Sequence, residues 1–541
     1  AFYTDAPQRF YTSLSDALVF VNGASAFAGA NIYLANTTLN VGSTQNITNS
    51  TNIVGLYEGS TITATTTDPL FHVSASSFGL NNVNINVTTG DVITLGADGV
   101  NLTINDSVIS TAGGAIVRSG SYTLGNLDAS YDNVFISNSA SGTTLFDLKG
   151  SSTTDVMFDG ATFQLQAGDS ILSLNRGEYL QLSDVTISGL DLASGTQALF
   201  SVTDVAEIEI DTLTMERMSV AGSVFEIESE NRASVITADG LKLNRVDLES
   251  ALFDVTSNAA GTVLTLKNAD FYVVNAADDL IRVSGTEDTA EVVLDEVESD
   301  RVMNAAGKYF LNLDTAVETF LMQDSKAENG TNFLNFDGVN LIMVGSDVNK
   351  MNSENGVIRT SNKSLKVVFD GMYFSNNTAA AGNGAVWGAE LEDALISITD
   401  TRFMYNTALA GAGAALAITN STTDAAKRTK INMYEADFRE NIAGAGRGGA
   451  LHFSGNIDAM LDTVFFTNNR ATDGAGALYV KDLYSLNVEN SAFEGNGIYY
   501  SPEHGVTKTL ERQVQKVDAE GNPMVDGDGN PVGINFSKSY F

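Results

Sequence analysis

The chain has 541 residues and a formal net charge of −37, from 66 acidic and 29 basic side chains. A field of that sign repels nucleic acid and anionic membranes, and the absence of cysteine excludes disulfides and cysteine-based metal or redox chemistry. No apolar run approaches the ~20 residues that a membrane helix needs. We therefore expect neither a nucleic-acid partner nor membrane insertion.

The first 30 residues predict an N-terminal cap. Ser13 precedes Leu14, Ala17, Leu18 and Val21, a spacing typical of a short helix with a serine at its N-cap. Such a helix would cover the end of a stack of strands, which otherwise exposes unpaired edges. Because the chain starts at Ala rather than Met, we also expect that a signal peptide has been removed and that the protein is extracellular or on the cell surface.

A degenerate repeat of about 27 residues fills residues 31–498. Its marker is a short apolar segment that recurs sixteen times at intervals of 22 to 35 residues. Such a period indicates stacked units that cannot bury their apolar faces alone. The copies are at Leu70-Phe71, Val92-Ile93, Ala115-Ile116, Leu145-Phe146, Ile171-Leu172, Leu199-Phe200, Val224-Phe225, Leu252-Phe253, Leu280-Ile281, Phe310-Leu311, Phe333-Leu334, Val357-Ile358, Ala385-Val386, Ala415-Leu416, Ala450-Leu451 and Ala477-Leu478.

The spacing inside each repeat predicts strands. Apolar residues two apart, such as Val367 with Phe369 and Ile396 with Ile398, indicate strands with one buried face. Proline is rare, and no long helical periodicity occurs between residues 30 and 500. We predict an all-β fold: a right-handed, single-stranded parallel β-helix of about 16 coils over residues 31–498.

The clearest repeats lie in the last third of the chain, where five Phe-x-x-Asn units occur. Since like positions stack about 4.8 Å apart in a β-helix, we predict an internal column of Phe374, Phe403, Phe438, Phe466 and Phe493. At one turn, where Asn tolerates left-handed backbone, we predict an amide ladder of Asn377, Asn406, Asn441, Asn469 and Asn496. Glycine pairs eight and ten residues after the Phe predict tight turns with positive φ; they are Gly382/Gly384, Gly411/Gly413, Gly446/Gly448 and Gly474/Gly476.

These motifs, FSNN…GNGAV, FMYN…GAGAAL, FREN…GRGGAL and FTNN…GAGAL, resemble repeats of the polymorphic outer-membrane proteins of chlamydiae and related autotransporter passenger domains. The resemblance covers about residues 365–500, and the upstream repeats only by general pattern. It implies a right-handed β-helix displayed on the cell surface and associated with adhesion. Two departures are the absence of a following C-terminal membrane barrel and the scarcity of the glycine motif before residue 380.

Residues 499–541 leave the repeat and form a C-terminal tail. The tail holds a tandem with a period of eight, which favours two hairpin-type turns; the alternative is a calcium loop of Asp518, Glu520, Asp526 and Asp528. Its last segment alternates like a strand. We predict that this segment docks on the open end of a neighbouring subunit; its docking residues are Ile534, Phe536, Tyr540 and Phe541.

Two other interpretations compete with a structural role. A polysaccharide lyase or hydrolase would need clustered carboxylates and a basic residue on one outward face; candidates are Asp400, Asp437, Asp458 and Asp462 with Arg447. The three histidines, His72, His452 and His504, are far apart in sequence. A glycan-binding surface would use the aromatic residues near the glycine turns, which are Trp387, Tyr405 and Tyr479, although Trp387 is equally compatible with an inward position.

We expect a non-enzymatic structural protein with no catalytic residues, which assembles into a head-to-tail fibre through its ends. A surface adhesin for glycans is the alternative, and a polysaccharide lyase or hydrolase is the minor one. No cofactor is expected except calcium in the tail. The chain's acidity would attract such divalent cations.

Overall fold

The computed structural model describes residues 2–4, 9–57, 59–129, 134–189, 197–498, 513–515 and 533–535. The fold is all-β, with 56% strand and 3% helix, and its stacked parallel strands form a β-solenoid of about sixteen turns. The predicted parallel solenoid is therefore confirmed, and its right-handed sense stays a prediction. The chain divides into two compact units, Ala1–Asp278 (unit 1) and Asp279–Phe541 (unit 2).

Unit 1 begins with the predicted helix, α1, at Leu14–Asn22. The Ser13 hydroxyl accepts a hydrogen bond from the Asp16 amide at 3.1 Å, which satisfies one of the unpaired N–H groups of the first turn. The buried side of α1 is apolar. A 3₁₀ turn follows at Ser25–Phe27, and a short strand at Phe2–Thr4 pairs antiparallel with Ala30–Leu34.

Three strand faces make up unit 1, called A1, B1 and C1. Face A1 contains Gln45–Ile47, Phe71–Val73, Ile93–Leu95, Val117–Arg118, Thr144–Lys149, Phe225–Ser229 and Phe253–Ser257. Face B1 contains Ala30–Leu34, Thr51–Gly55, Ser77–Asn81, Val100–Asn105, Leu124–Ala129, Asp155–Asp159, Val235–Asp239 and Val263–Lys267. Face C1 contains Thr38–Val41, Thr61–Ala64, Asn84–Val87, Val108–Thr111, Val134–Asn138, Ala161–Leu165, Lys242–Leu248 and Asp270–Ala276. The long strands Ser170–Gly189 and Phe200–Val220 pass through all three faces.

Unit 2 has the same three kinds of face, called A2, B2 and C2. Face A2 contains Ile281–Gly285, Leu311–Leu313, Leu334–Phe336, Ile358–Thr360, Trp387–Glu390, Leu416–Asn420, Leu451–Gly455 and Leu478–Lys481. Face B2 contains Ala290–Asp295, Val317–Gln323, Asn340–Val344, Lys366–Asp370, Leu395–Thr399, Thr429–Tyr434, Ile457–Asp462 and Ser485–Glu489. Face C2 contains Glu298–Asn304, Lys326–Glu328, Asp347–Asn349, Tyr373–Ser375, Arg402–Met404, Asp437–Arg439, Phe465–Thr467 and Ala492–Glu494.

A fourth, shorter ladder, D2, is added where the Phe-x-x-Asn repeats begin. It contains Asn352–Ser353, Thr378–Ala379, Thr407–Ala408, Ile442–Ala443, Arg470–Ala471 and Gly497–Ile498. One loop between faces A2 and B2 carries a 3₁₀ turn at Ala425–Lys427. In the tail, Gln513–Gln515 pairs antiparallel with Gly533–Asn535.

The core of each unit consists of the inward residues of its strands, which alternate with outward ones. In the strand Thr429–Tyr434, for example, the residues at 429, 431 and 433 are buried and the others are exposed. Alternation of this kind is what a strand with one solvated face requires. The prediction of strands from apolar residues two apart is therefore confirmed.

The register of two predicted copies is off by one residue. The structure pairs Trp387, not Val386, with Ile358 and Leu416, and it pairs Val117, not Ile116, with Ile93 and Phe146. In the first case the distance from the preceding Phe would have given the right answer, because Trp387 and Leu416 both lie thirteen residues after their Phe. A one-residue shift matters, since it moves a side chain to the other face.

Candidate functional site

The predicted aromatic residues form one column inside unit 2. Successive rings, in order along the chain, are 5.3, 4.7, 5.1 and 4.6 Å apart between centroids, and their planes differ by 13° or less. Each ring lies on a strand of face C2, and successive strands place these residues in register. The spacing between the strands therefore sets the stacking distance. The column comprises Phe374, Phe403, Phe438, Phe466 and Phe493.

The five asparagines form a hydrogen-bonded ladder beside that column. Each Nδ2 except that of Asn496 donates to the Oδ1 of the next asparagine at 2.9–3.0 Å, along Asn377, Asn406, Asn441, Asn469 and Asn496. The same Nδ2 donates to a backbone carbonyl of the preceding coil at 2.8–3.0 Å. Thus the amides satisfy the turn and join adjacent coils.

The left-handed backbone lies one residue before each ladder asparagine, rather than at the asparagine itself. These positions have φ between 53° and 64° and are occupied by Asn376, Tyr405, Glu440, Asn468 and Gly495. The ladder asparagine is instead held by its side-chain bonds. The glycine turns also differ from expectation: positive φ occurs at Gly384, Gly413 and Gly448 but, in the fourth copy, at Gly474 and Ala475.

The last described coil of unit 2 leaves its inward apolar residues partly uncovered. One coil earlier, the corresponding inward residues are at most 1% exposed. In the last coil all of them are only half-buried. The half-buried residues are Leu478, Val480, Leu486, Val488 and Phe493, and the covered ones are Leu451, Phe453, Ala459, Leu461 and Phe466.

The inward residues of the first coil of unit 1, by contrast, are well buried. There α1 buries Leu14 and Leu18 to 3% or less, and the inward residues Ile32 and Ile47 are fully buried. The Asn22 side chain fastens the helix to the next coil by accepting from the Thr48 and Asn49 amides at 3.0 and 3.2 Å. The predicted short N-terminal helix is therefore confirmed.

The three aromatic candidates for a glycan platform do not form one surface. Trp387 is fully buried, and its Nε1 donates to the Thr360 hydroxyl at 3.2 Å. Tyr479 is only 9% exposed, and its hydroxyl accepts from Arg447 at 3.0 Å. Tyr405 alone is well exposed, at 43%, and it lies at a turn rather than on a strand face.

Three of the four candidate catalytic carboxylates have a local structural partner. Asp437 is 3.1 Å from Arg439, Asp458 accepts from Ser485, and Asp462 accepts from Asn490. Asp400 lies in a left-handed turn with φ 42°. Arg447 instead pairs with Asp473, at 2.9 Å. Within the described residues no group of three or more His, Asp or Glu side chains could hold a metal ion.

The histidines are separate. His72 contacts the Thr94 hydroxyl at 3.1 Å on face A1, whereas His452 lies on face A2 with its ring 4.9 Å from the ring of Tyr479. The pKa of His452 is lowered, mainly because the side chain is buried. A hydrogen bond to the Arg447 backbone raises this pKa, whereas the charges of Arg447 and Lys481 lower it further. His504 is outside the described residues.

The residues predicted to bind calcium or to dock in the tail lie almost entirely outside the described residues. This applies to Asp518, Glu520, Asp526, Asp528, Phe536, Tyr540 and Phe541. Ile534 is described only as part of a strand, where it pairs with Val514 of the same tail. The calcium loop and the docking segment both stay predictions.

Comparisons with protein-family models, with curated proteins and with solved structures find no match for this chain. Within the described residues, no helix is both long and apolar enough to cross a membrane. Function must therefore be argued from the solenoid itself.

Proposed function

We propose that this chain is a non-enzymatic structural protein of the cell surface or extracellular space, which associates with copies of itself through the ends of its coils. The observation that carries the proposal is the partly uncovered last coil of unit 2. Its half-buried residues Leu478, Val480, Leu486 and Val488 leave apolar surface that a further strand would bury. A second copy of the chain can supply that strand.

The first coil of unit 1 supplies the counterpart in the neighbouring copy. Val19 of helix α1 is 69% exposed, and Phe10, which precedes the helix, is 76% exposed. Contact between two different ends is heterologous, and it propagates into a filament when the rotation between copies does not close a ring. The resemblance of the repeats to surface-displayed passenger domains supports the same location and a display role.

Analytical ultracentrifugation and negative-stain microscopy of the full chain test the proposal. Phe493→Glu places a charge on the open coil, and we expect it to shift filaments or oligomers to monomers. Phe465→Glu is the matched control, because Phe465 is one coil earlier but 43% exposed on the outward side. Circular dichroism should show the same strand content for both variants.

Deleting residues 499–541 separates two routes of assembly. If the tail of one copy covers the next, the deletion variant should be monomeric; if coil edges meet directly, it should still assemble. A parent chain that stays monomeric at all concentrations, or a Phe493→Glu variant that assembles like Phe465→Glu, would contradict self-association through this end.

A further inference from the structure

The early coils of unit 1 contain few charged side chains. Residues 31–110 contain five acidic side chains and no Lys or Arg, in a chain whose net charge is −37. The outward positions of the first four strands of face C1 are uncharged as well. They are Thr38, Asn40, Thr61, Thr63, Asn84, Asn86, Val108 and Ser110.

A shallow groove of about 220 Å³, lined only by uncharged residues, lies on face B1 in this region. Its residues follow two rows across adjacent coils, and the register defines both rows. One row is Asn31, Asn52, Gly79 and Thr103; the other includes Val54, Asn81 and Asn105, and the Leu80 backbone lies between them.

Gly79 creates the groove by lacking a side chain. A Cβ at this position would lie 2.3 Å from the Asn52 Oδ1, so any larger residue must displace the Asn52 carboxamide. The Asn52 Nδ2 donates to the Asn31 Oδ1 at 3.0 Å, which holds the two amides in one orientation along the row. The notch between Asn52 and Thr103 is therefore a built feature of the surface.

Part of the hydrogen-bonding capacity of the groove is unused. Among the described residues, the side chains of Asn81 and Thr103 have no hydrogen-bond partner, and Asn52 uses only one of its donors. An amide offers donors and an acceptor side by side, and a hydroxyl offers both roles. One coil beyond Thr103, Asp128 adds a buried Oδ1 without a partner in the described structure.

We propose that this groove, the amide groove, binds a neutral saccharide. Ring hydroxyls both donate and accept, which matches neighbouring amides and the Thr103 hydroxyl, while Val54 offers an apolar contact for the C–H side of a sugar ring. The groove has no cation to attract an acidic sugar, and the −37 field repels one. Its volume is below the ~300 Å³ of typical drug-sized sites, so it takes one sugar residue at a time.

Saturation-transfer NMR and calorimetry with the full chain provide the test. The probes are methyl glycosides of glucose, galactose, mannose and N-acetylglucosamine, with galacturonic acid as the charged comparison. We expect at least one neutral glycoside to bind, with an affinity in the millimolar range, and galacturonic acid not to bind.

Two variants locate the site. Thr103→Val keeps the shape but removes the hydroxyl, and we expect about fivefold weaker binding; Gly79→Ala fills the notch and should abolish detectable binding. The controls are Thr265→Val, on an outward position of the same face, and Gly42→Ala, where an added Cβ meets nothing within 4 Å. Both controls should bind like the parent chain.

The inference is overturned if no neutral glycoside binds, if galacturonic acid binds as well, or if Thr103→Val binds like Thr265→Val. A Gly79→Ala variant that retains full binding has the same consequence. Because the amide groove is remote in sequence from the last coil, Phe493→Glu should bind saccharide normally, so failure of self-association and failure of this inference are distinguishable.

Discussion

Asn441 shows how one buried side chain joins three coils of unit 2. Its Nδ2 donates to the Phe403 carbonyl at 2.8 Å and to the Asn469 Oδ1 at 2.9 Å. Its Oδ1 accepts from both the backbone amide and the Nδ2 of Asn406, each at 3.0 Å. With no exposed surface, the side chain cannot exchange these bonds for water.

Asn441→Ala should therefore lower the free energy of unfolding by about 3 kcal/mol, since buried groups left without partners cost about 1–3 kcal/mol each. Asn432→Ala is the control, because Asn432 is exposed on face B2 and its change should stay within about 0.5 kcal/mol. Urea denaturation followed by circular dichroism measures both. Equal midpoints for the two variants would contradict a stabilising role for the ladder.

His452 predicts a pH effect. Because its pKa is lowered in the folded state, the unfolded chain binds the proton more readily, and this residue's contribution to stability is lost as pH falls below about 6.5. His452→Gln should remove that contribution, so the parent chain should lose more stability than the variant between pH 7.5 and pH 5.5. Thermal melts at the two pH values, with His72→Gln as a control, measure the difference; parallel losses in all three proteins would argue against it.

At the scale of the element, the aromatic column predicts a cavity penalty. Phe438 is fully buried between Phe403 and Phe466, with ring centroids at 4.7 and 5.1 Å. Phe438→Ala should destabilise unit 2 by about 3–5 kcal/mol, since the neighbouring strands cannot close the space.

Phe465→Ala provides the comparison for that measurement. Phe465 lies next in sequence to a column residue but points outward, at 43% exposure, so its truncation should cost less than about 1 kcal/mol. Hydrogen exchange of the strands Arg402–Met404 and Phe465–Thr467 would localise the effect. Faster exchange confined to distant coils would be inconsistent with a penalty that originates in the column.

The elements that sequence predicts best are those in which one position recurs at each coil. The Phe-x-x-Asn unit has a fixed internal spacing, so the column and the ladder follow from strand stacking alone. Loops vary in length, and there the prediction lost register, as at Trp387 and Val117. The left-handed residue is also hard to place, because Tyr405 and Glu440 have no compositional preference for it.

For the whole molecule, the net charge opposes self-association, whereas the apolar ends of the coils favour it. Copies with a net charge of −37 repel each other, while a contact through apolar coil ends is nearly independent of salt. Screening shortens from about 30 Å at 0.01 M to about 10 Å at 0.1 M ionic strength. Self-association should therefore strengthen as sodium chloride rises over this range.

Sedimentation velocity across a salt series measures this prediction, and dissociation with added salt would instead indicate ion pairs at the contact. Calcium chloride and sodium chloride at equal ionic strength give a second comparison. A larger effect of calcium, reversed by chelator, would support the carboxylate loop at Asp518 and Asp526. Equal effects would assign the response to screening alone.

The candidate sites were less predictable than the fold, for a physical reason. The amide groove depends on a missing side chain at Gly79 and on rows formed by residues about 20 to 30 positions apart. No local motif encodes that arrangement. The composition does mark this region as unusual, since residues 31–110 lack Lys and Arg. Composition alone does not predict that Asn52 and Thr103 flank Gly79.

The hydrogen bonds between successive ladder asparagines all run in the same direction along unit 2. The Nδ2 groups of the first four ladder asparagines each donate to the Oδ1 of the asparagine in the following coil, so the row of side-chain dipoles is polar. It begins at the Asn377 Oδ1, which accepts from the Met351 amide, and ends at the Asn496 Nδ2. Asn496 gives one hydrogen to the Phe466 carbonyl, and the other meets no further rung in the described chain. A strand that extends this row must place an oxygen acceptor at the Asn496 Nδ2. This requirement restricts the orientation of the incoming strand.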